Sequence, residues 1–213
     1  PHKIPEVSFF VPCYNEEKNV IQTIKTIQNA VEPLNINYEI LIVDDASMDR
    51  TSLEVTNYIH ENNNVPISLY RNSENKGVGS NYLLGAELAH GNSYMLISGD
   101  NDTPPDAIQH ILKNLGRADM IISYIKNQHE RPLHRRLLSA FFVGMINIIN
   151  GNRIRYYTGP VLHQREMILK WKPTTRGPGY QAEIICERLR RGFSYMEVGI
   201  SCIPNKKSSM LSV

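Results

Sequence analysis

Cysteine is scarce in this chain: Cys13, Cys186 and Cys202 are the only three among 213 residues. They are odd in number, far apart and never spaced CxxC, which argues against a disulfide framework and against a cysteine zinc site. A reducing cytosol is the expected compartment. The seven histidines are scattered and form no HxxxH pair, so none is expected to ligate metal. Also missing is any apolar run near the roughly 18 residues needed to span a bilayer, and no signal peptide opens the sequence. No internal repeat, low-complexity segment or flexible linker breaks the chain. A length of 213 residues suits one domain, residues 1–213, with a core that needs no covalent staple.

Charge is abundant but unevenly placed. The net value is only +2, yet residues 1–125 hold 8 Lys and Arg against 16 Asp and Glu, while residues 126–213 hold 15 against 5. An acidic half suits a metal ion. A basic half suits phosphates or an anionic membrane surface, and no nucleic-acid partner is expected.

Short apolar runs alternate with helical patterns through the first half. Strands are predicted at 7–12, 38–44, 67–70, 93–98 and 118–124, with helices at about 16–31, 50–61 (Asp49 as N-cap), 78–90 and 105–115. This βα repeat implies an α/β fold with a largely parallel sheet, helices on both faces, and ligands at the carboxyl ends of the strands. Three loops leave those ends: PCYNEE (12–17), DDASMD (44–49) and GDNDT (99–103). Beyond residue 125 the pattern changes. Residues 131–150 read as one long helix with a narrow polar stripe of Arg136, Ser139, Asn147 and Asn150. Such a helix can lie in a membrane interface or fill a core, and both readings stay open. A helix at 179–192 and a strand at 193–200 complete the pattern.

Asp100 and Asp102 carry the clearest chemistry. Two carboxylates one residue apart on a bend can share one Mg²⁺ or Mn²⁺, hard cations that keep positions open for diphosphate oxygens. The same residues would also serve a solvated turn, with Asp102 capping the helix that starts at Pro104 or Pro105.

Taken together, VSFFVPCYNEEKNV (7–20), EILIVDDASMDRT (39–51), NKGVGSNYLLGAELAHG (75–91) and ISGDNDT (97–103) resemble glycosyltransferase family 2, whose members share the GT-A nucleotide-sugar fold. Later segments, RPLHRRLLSAFF (131–142), YYTGPVLHQRE (156–166) and GYQAEIICERLRRGFSYMEVGI (179–200), are similar to its dolichol-phosphate mannose synthase and polyprenyl-phosphate branch. The resemblance implies a nucleotide pocket of Pro12, Tyr14 and Glu16, a base reader in Asp44, and Asp45 beside the sugar nucleotide. Gly77 and Gly79 would let backbone approach a ligand at a helix N-terminus. It makes Asp100 and Asp102 the metal site, with Mg²⁺ or Mn²⁺ as cofactor. On the acceptor side it implies Glu183 as base or orienting group, and Arg131, Arg135 and Arg136 as a phosphate clamp with Lys206 and Lys207.

Three departures stand out. Thr103-Pro104-Pro105 follows the Asp-x-Asp at once, Arg155 precedes Tyr156-Tyr157-Thr158-Gly159 where the branch often carries Asp nearby, and NKKSSML (205–211) matches the family's phosphate clamp poorly. The expected activity is inverting transfer of a hexose from a UDP- or GDP-sugar to a polyprenyl phosphate at the cytoplasmic face of a membrane. The alternative acceptor is a sugar hydroxyl of a growing glycan, which unlike an ionised phosphate would need a base.

Overall fold

A computed structural model describes residues 3–62, 64–175, 177 and 179–203. Seven strands form one sheet: β1 (Val7–Cys13), β2 (Tyr38–Asp44), β3 (Ile67–Arg71), β4 (Ser93–Leu96), β5 (Met120–Ile125), β6 (Val161–Gln164) and β7 (Tyr195–Ile200). Their spatial order is β3-β2-β1-β4-β6-β5-β7. All neighbours are parallel except β6, which runs antiparallel to both β4 and β5. The expected mostly parallel sheet is therefore present. The inserted β6 is absent from the sequence reading, because four residues are too short to show a period of two.

Helices α1 (Val20–Val31), α2 (Thr51–Glu61) and α4 (Pro105–Leu112) cover one face. Val20, Ile24, Ile27 and Val31 recur at helical spacing on α1 and lie in the core with Phe9, Ile40, Ile42, Val55 and Ile108. Each such side chain contributes roughly 1.5–3 kcal/mol by leaving water. On the other face α3 (Val78–Leu88), α6 (Arg165–Leu169) and α7 (Tyr180–Arg190) enclose an aromatic cluster of Phe10, Tyr82, Tyr94, Trp171 and Tyr180. Gly85 is required here, since a Cβ would stand 2.3 Å from the Tyr94 hydroxyl and 2.6 Å from the Phe10 ring.

Two helix starts differ from expectation. The α1 helix begins at Val20, after a turn in which Asn15 adopts φ +57 and the Asn19 amide donates to Glu16 at 2.9 Å. On α2 the N-cap position is Arg50, one residue past Asp49. Asp49 still caps, accepting the Thr51 N–H at 2.9 Å, because its short side chain reaches the first turn from outside it.

The long helix α5 (Leu133–Asn150) has no buried residue, so it is not a core helix. It lies on the domain's edge, with Phe142, Val143 and Ile146 resting on a cluster around Met120, Ile122 and Tyr157. Its stripe is split. Asn147 turns inward, accepting from the Tyr157 hydroxyl at 2.7 Å and from the Ile154 N–H at 3.1 Å, while Arg136 is exposed.

Candidate active site

The strand order changes direction at β1: β2 and β3 lie to one side, β4 to the other. A crevice opens at such a switch point, beyond the carboxyl ends of the strands. Here β1 pairs with β4 only as far as Phe10 and Leu96, so Pro12 and Cys13 lie past the last shared pair. Gly99 packs on that free end, where a Cβ would meet the Cys13 sulfur at 2.8 Å and the Pro12 carbonyl at 2.9 Å. Any side chain there would push the Asp100 loop off the sheet. Burial, with nearby Glu16 and Asp44 adding to it, pushes the Cys13 thiol up, so this cysteine stays protonated and serves packing.

Hydrogen bonds bind the first two loops into one body. The Asn15 N–H donates to Ser47 Oγ at 2.9 Å, the Glu16 N–H to Thr51 Oγ1 at 2.8 Å, and the Met48 N–H returns to Asn15 Oδ1 at 2.9 Å. Tyr14 is left 40% exposed at the rim, while Glu16 is buried beneath it. Asp44 is fully buried. One of its oxygens accepts the Ser47 N–H at 2.9 Å; the other accepts the Ser52 hydroxyl and lies 3.6 Å from Arg71 Nε. Asp45 is committed to structure as well. It accepts from the Asn72 amide at 2.7 Å and from the Lys76 and Gly77 N–H groups at 2.9 Å. The Gly77 N–H is thus shared between Asp45 and Asn75 Oδ1, and its φ of +79 serves the turn into α3.

Arg71 and Asn72 were not among the sequence candidates. Arg71 is the last residue of β3 and Asn72 follows it, on the edge where β1 and β2 also end, and that position was the available signal. Arg71 donates to the Ser47 carbonyl at 2.8 Å, tying β3 to the Asp44 loop. With Met48, Asp49 and Ser73 these residues line an open groove of ≈ 700 Å³.

The Asp-x-Asp loop is anchored from α1: Thr23 Oγ1 donates to the Gly99 carbonyl at 3.0 Å and Thr26 Oγ1 to Asn101 Oδ1 at 2.9 Å. Asn101 takes φ +58, which turns the chain sharply between the two carboxylates. Burial and the charge of Asp100 raise the Asp102 pKa, against lowering by the Thr103 hydroxyl and by Arg131. Asp102 does not cap α4, whose N-cap is Pro104. Two carboxylates set against each other in a half-buried loop are what a divalent cation relieves. Among the described residues no group of three or more His, Cys, Asp or Glu could hold a metal. Asp100 and Asp102 alone would offer a hard cation two carboxylates, and its remaining oxygens would have to come from a ligand such as a diphosphate.

A second cavity of ≈ 330 Å³ runs from Asp102 to the start of α5. Its walls are largely apolar, including Val78, Leu96, Ile125 and Val161, and its polar groups include Arg131, Arg135, Tyr156 and Gln181. Arg131 donates to the Tyr156 hydroxyl at 3.1 Å. Gln181, from α7, donates to the Gly159 carbonyl. The structure thus brings Arg131 and Arg135 into one space with Asp102, while Arg136 points outward. Glu183 is elsewhere: it accepts from Trp171 Nε1 at 3.3 Å and from the Thr174 and Thr175 N–H groups at 2.8 and 3.1 Å. That arrangement pins the 171–175 segment. Lys206 and Lys207 lie outside the described residues. Tyr156 and Gln181 were missed because their approach depends on how β6 and α7 fold back, which no local pattern encodes.

Known proteins share this architecture. Residues 8–173 match glycosyl transferase family 2. A dolichol-phosphate mannosyltransferase of Pyrococcus furiosus is 31% identical over 148 residues, 66% of this chain and 41% of its own length; the chain spans less than half of that relative. Mannosyltransferase PcManGT from Pyrobaculum calidifontis, in complex with GDP-Man and Mn²⁺, superposes with a TM-score of 0.70 at 17% identity, over 97% of this chain and 59% of that one. Glucosyl-3-phosphoglycerate synthase from Mycobacterium tuberculosis, in complex with Mn²⁺, UDP and glucosyl-3-phosphoglycerate, gives 0.66 at 16% identity, over 95% and 73%. At such identities the structural likeness establishes the GT-A fold.

Proposed function

The chain belongs to glycosyltransferase family 2, and from that premise we propose that it transfers a hexose from a UDP- or GDP-sugar to a polyprenyl phosphate at the cytoplasmic face of a membrane, with inversion at the sugar C1. The observation that carries this reading is one cavity lined by Asp102 together with Arg131 and Arg135. Its apolar walls suit a prenyl chain, and two guanidiniums suit a phosphate, which arginine can grip bidentately.

On the donor side, Tyr14 and the groove between Asp49 and Arg71 would receive the nucleoside, with Asp44 fixed behind it. Asp100 and Asp102 would hold Mg²⁺ or Mn²⁺, whose charge offsets that building on the departing diphosphate. Arg131 and Arg135 orient the acceptor phosphate for in-line attack. Its oxygen bonds to C1 as the bond from C1 to the diphosphate oxygen breaks, and the nucleoside diphosphate leaves. A phosphate monoester has a second pKa near ~6, so the attacking oxygen needs no base. This accords with Glu183 being engaged by backbone N–H groups. The relative from P. furiosus, named a dolichol-phosphate mannosyltransferase, supports a lipid acceptor.

The test is incubation with Mg²⁺ or Mn²⁺, labelled UDP- and GDP-sugars and polyprenyl phosphate, followed by organic extraction. Label moving into the organic phase with one donor is expected. Label that stays aqueous with every donor would overturn the acceptor assignment.

A further inference from the structure

The outward face of α5 has no use in the proposed reaction. Leu133, Leu137, Leu138, Phe141, Ile148 and Ile149 are each 62–84% exposed. They lie on one flank of the helix, with the exposed Met145 between Phe141 and Ile148, forming an apolar band that extends roughly 24 Å at about 1.5 Å per residue. This reverses the usual amphipathic order, in which the apolar face turns to the core. The reason is local: Asn147 must face inward to bond Ile154 and Tyr157, and Phe142, Val143 and Ile146 suffice to seat the helix.

Charge selects what covers the band. Residues 131–165 contain six arginines and not one Asp or Glu. His134, Arg135 and Arg136 occupy the first turn of α5, and Arg131 and Arg135 also line the cavity that reaches Asp102. The band is thus continuous with the cavity mouth. Among the described residues no helix is long and apolar enough to cross a membrane. We propose that α5 is a surface-docking helix that lies in the headgroup boundary of an anionic phospholipid bilayer and turns the cavity mouth toward the lipid. Apolar side chains on one flank and cations beside them are the two elements such binding combines. The inference sharpens the lipid-acceptor reading by naming the element that meets the membrane.

The experiment is sedimentation of the 213-residue chain with vesicles of phosphatidylcholine alone or mixed with phosphatidylglycerol. Binding to the mixed vesicles that weakens with added salt is expected. The double variant Phe141→Ser, Ile148→Ser should lose about ten- to a hundredfold in vesicle affinity while keeping its melting temperature and nucleotide binding, since both side chains are exposed. Arg136→Glu should reduce the preference for anionic vesicles. A wild-type chain that sediments with neither vesicle overturns the proposal. So does a double variant that binds as well as wild type, or one that merely abolishes self-association. Transfer to detergent-solubilised polyprenyl phosphate is scored separately. Vesicle binding without such transfer keeps the docking helix and sinks the acceptor; transfer without vesicle binding does the reverse.

Discussion

The strand-end loops and the helix α5 handle their polar groups in opposite ways. Around β1 and β2 the carboxylates are drawn inward and closed off by backbone N–H groups, as with Asp44 on Ser47 and Asp45 on Lys76 and Gly77. Along α5 Asn147 goes inward while Leu133, Leu137, Leu138, Phe141, Ile148 and Ile149 go out. The first arrangement fixes a rigid cradle before any ligand arrives, which suits a site that must hold charge in one geometry. The second leaves apolar surface in water at a cost in solubility, which is sustained only where something else covers it. The two regions meet at the cavity between Asp102 and Arg131, so rigid and docking parts share one wall.

The sharpest way to break this contrast is Asp102→Asn. It should lower kcat/KM by about 10²–10³-fold, on the order of 3–4 kcal/mol. Stability should stay level or rise, because burial and Asp100 already disfavour the Asp102 charge. Steady-state kinetics beside a urea melt would show it, and a large loss of stability would mean the carboxylate is structural.

His163 lies where the halves join, on β6 between β4 and β5, its ring 6.4 Å from that of Tyr82. Burial, reinforced by the charge of Arg188, lowers its pKa to about 3. The unfolded chain takes up a proton there below about 6.5, whereas the folded chain resists until near 3. Stability from the neutral ring is thus complete above about pH 6.5 and is lost as pH falls toward 3, by roughly 3 kcal/mol between pH 6.5 and 4. Urea midpoints measured over that range should fall less steeply in His163→Gln. Equal slopes would place the acid sensitivity elsewhere.

Asp45→Ala probes the rigid cradle directly. It leaves the Lys76 N–H without its acceptor and removes one of two acceptors from the Gly77 N–H and the Asn72 amide, which keep Asn75 Oδ1 and Asn81 Oδ1; this should cost about 2 kcal/mol in unfolding free energy. Nucleotide affinity should weaken with it as the 72–77 loop loosens. The smallest effect is expected on the acceptor side, where Arg135→Ala should raise the acceptor KM about tenfold. Its kcat and melting temperature should stay near wild type, since Arg135 holds no buried partner among the described hydrogen bonds and ion pairs. A fall in kcat instead would move Arg135 from binding the acceptor to stabilising the transition state.

The three strand-end loops were legible in the sequence because their information is local. A strand end, a glycine and two aspartates occupy a few consecutive residues, and a parallel βα pattern puts all such ends on one edge. Arg71 was overlooked although the same rule covers β3, since its strand is half exposed and weakly patterned. The acceptor side was far less legible. Arg131 and Arg135 could be named from their resemblance to a family segment, as could Glu183, but that Glu183 accepts from the Thr174 and Thr175 N–H groups could not be read from the segment. Tyr156 and Gln181 enter the cavity only through the fold of distant segments.

By itself the sequence determined the α/β class, the family and the three strand-end loops, because periodicity and short motifs act over residues that are neighbours in the chain. Tertiary structure alone decided that β6 inserts antiparallel, that α5 shows its apolar face to the outside, and that Asp102 and Arg131 share a cavity. These depend on pairing between strands remote in the chain or on how a whole helix seats against its neighbours, and the competing free energies leave no pattern within any short run of residues.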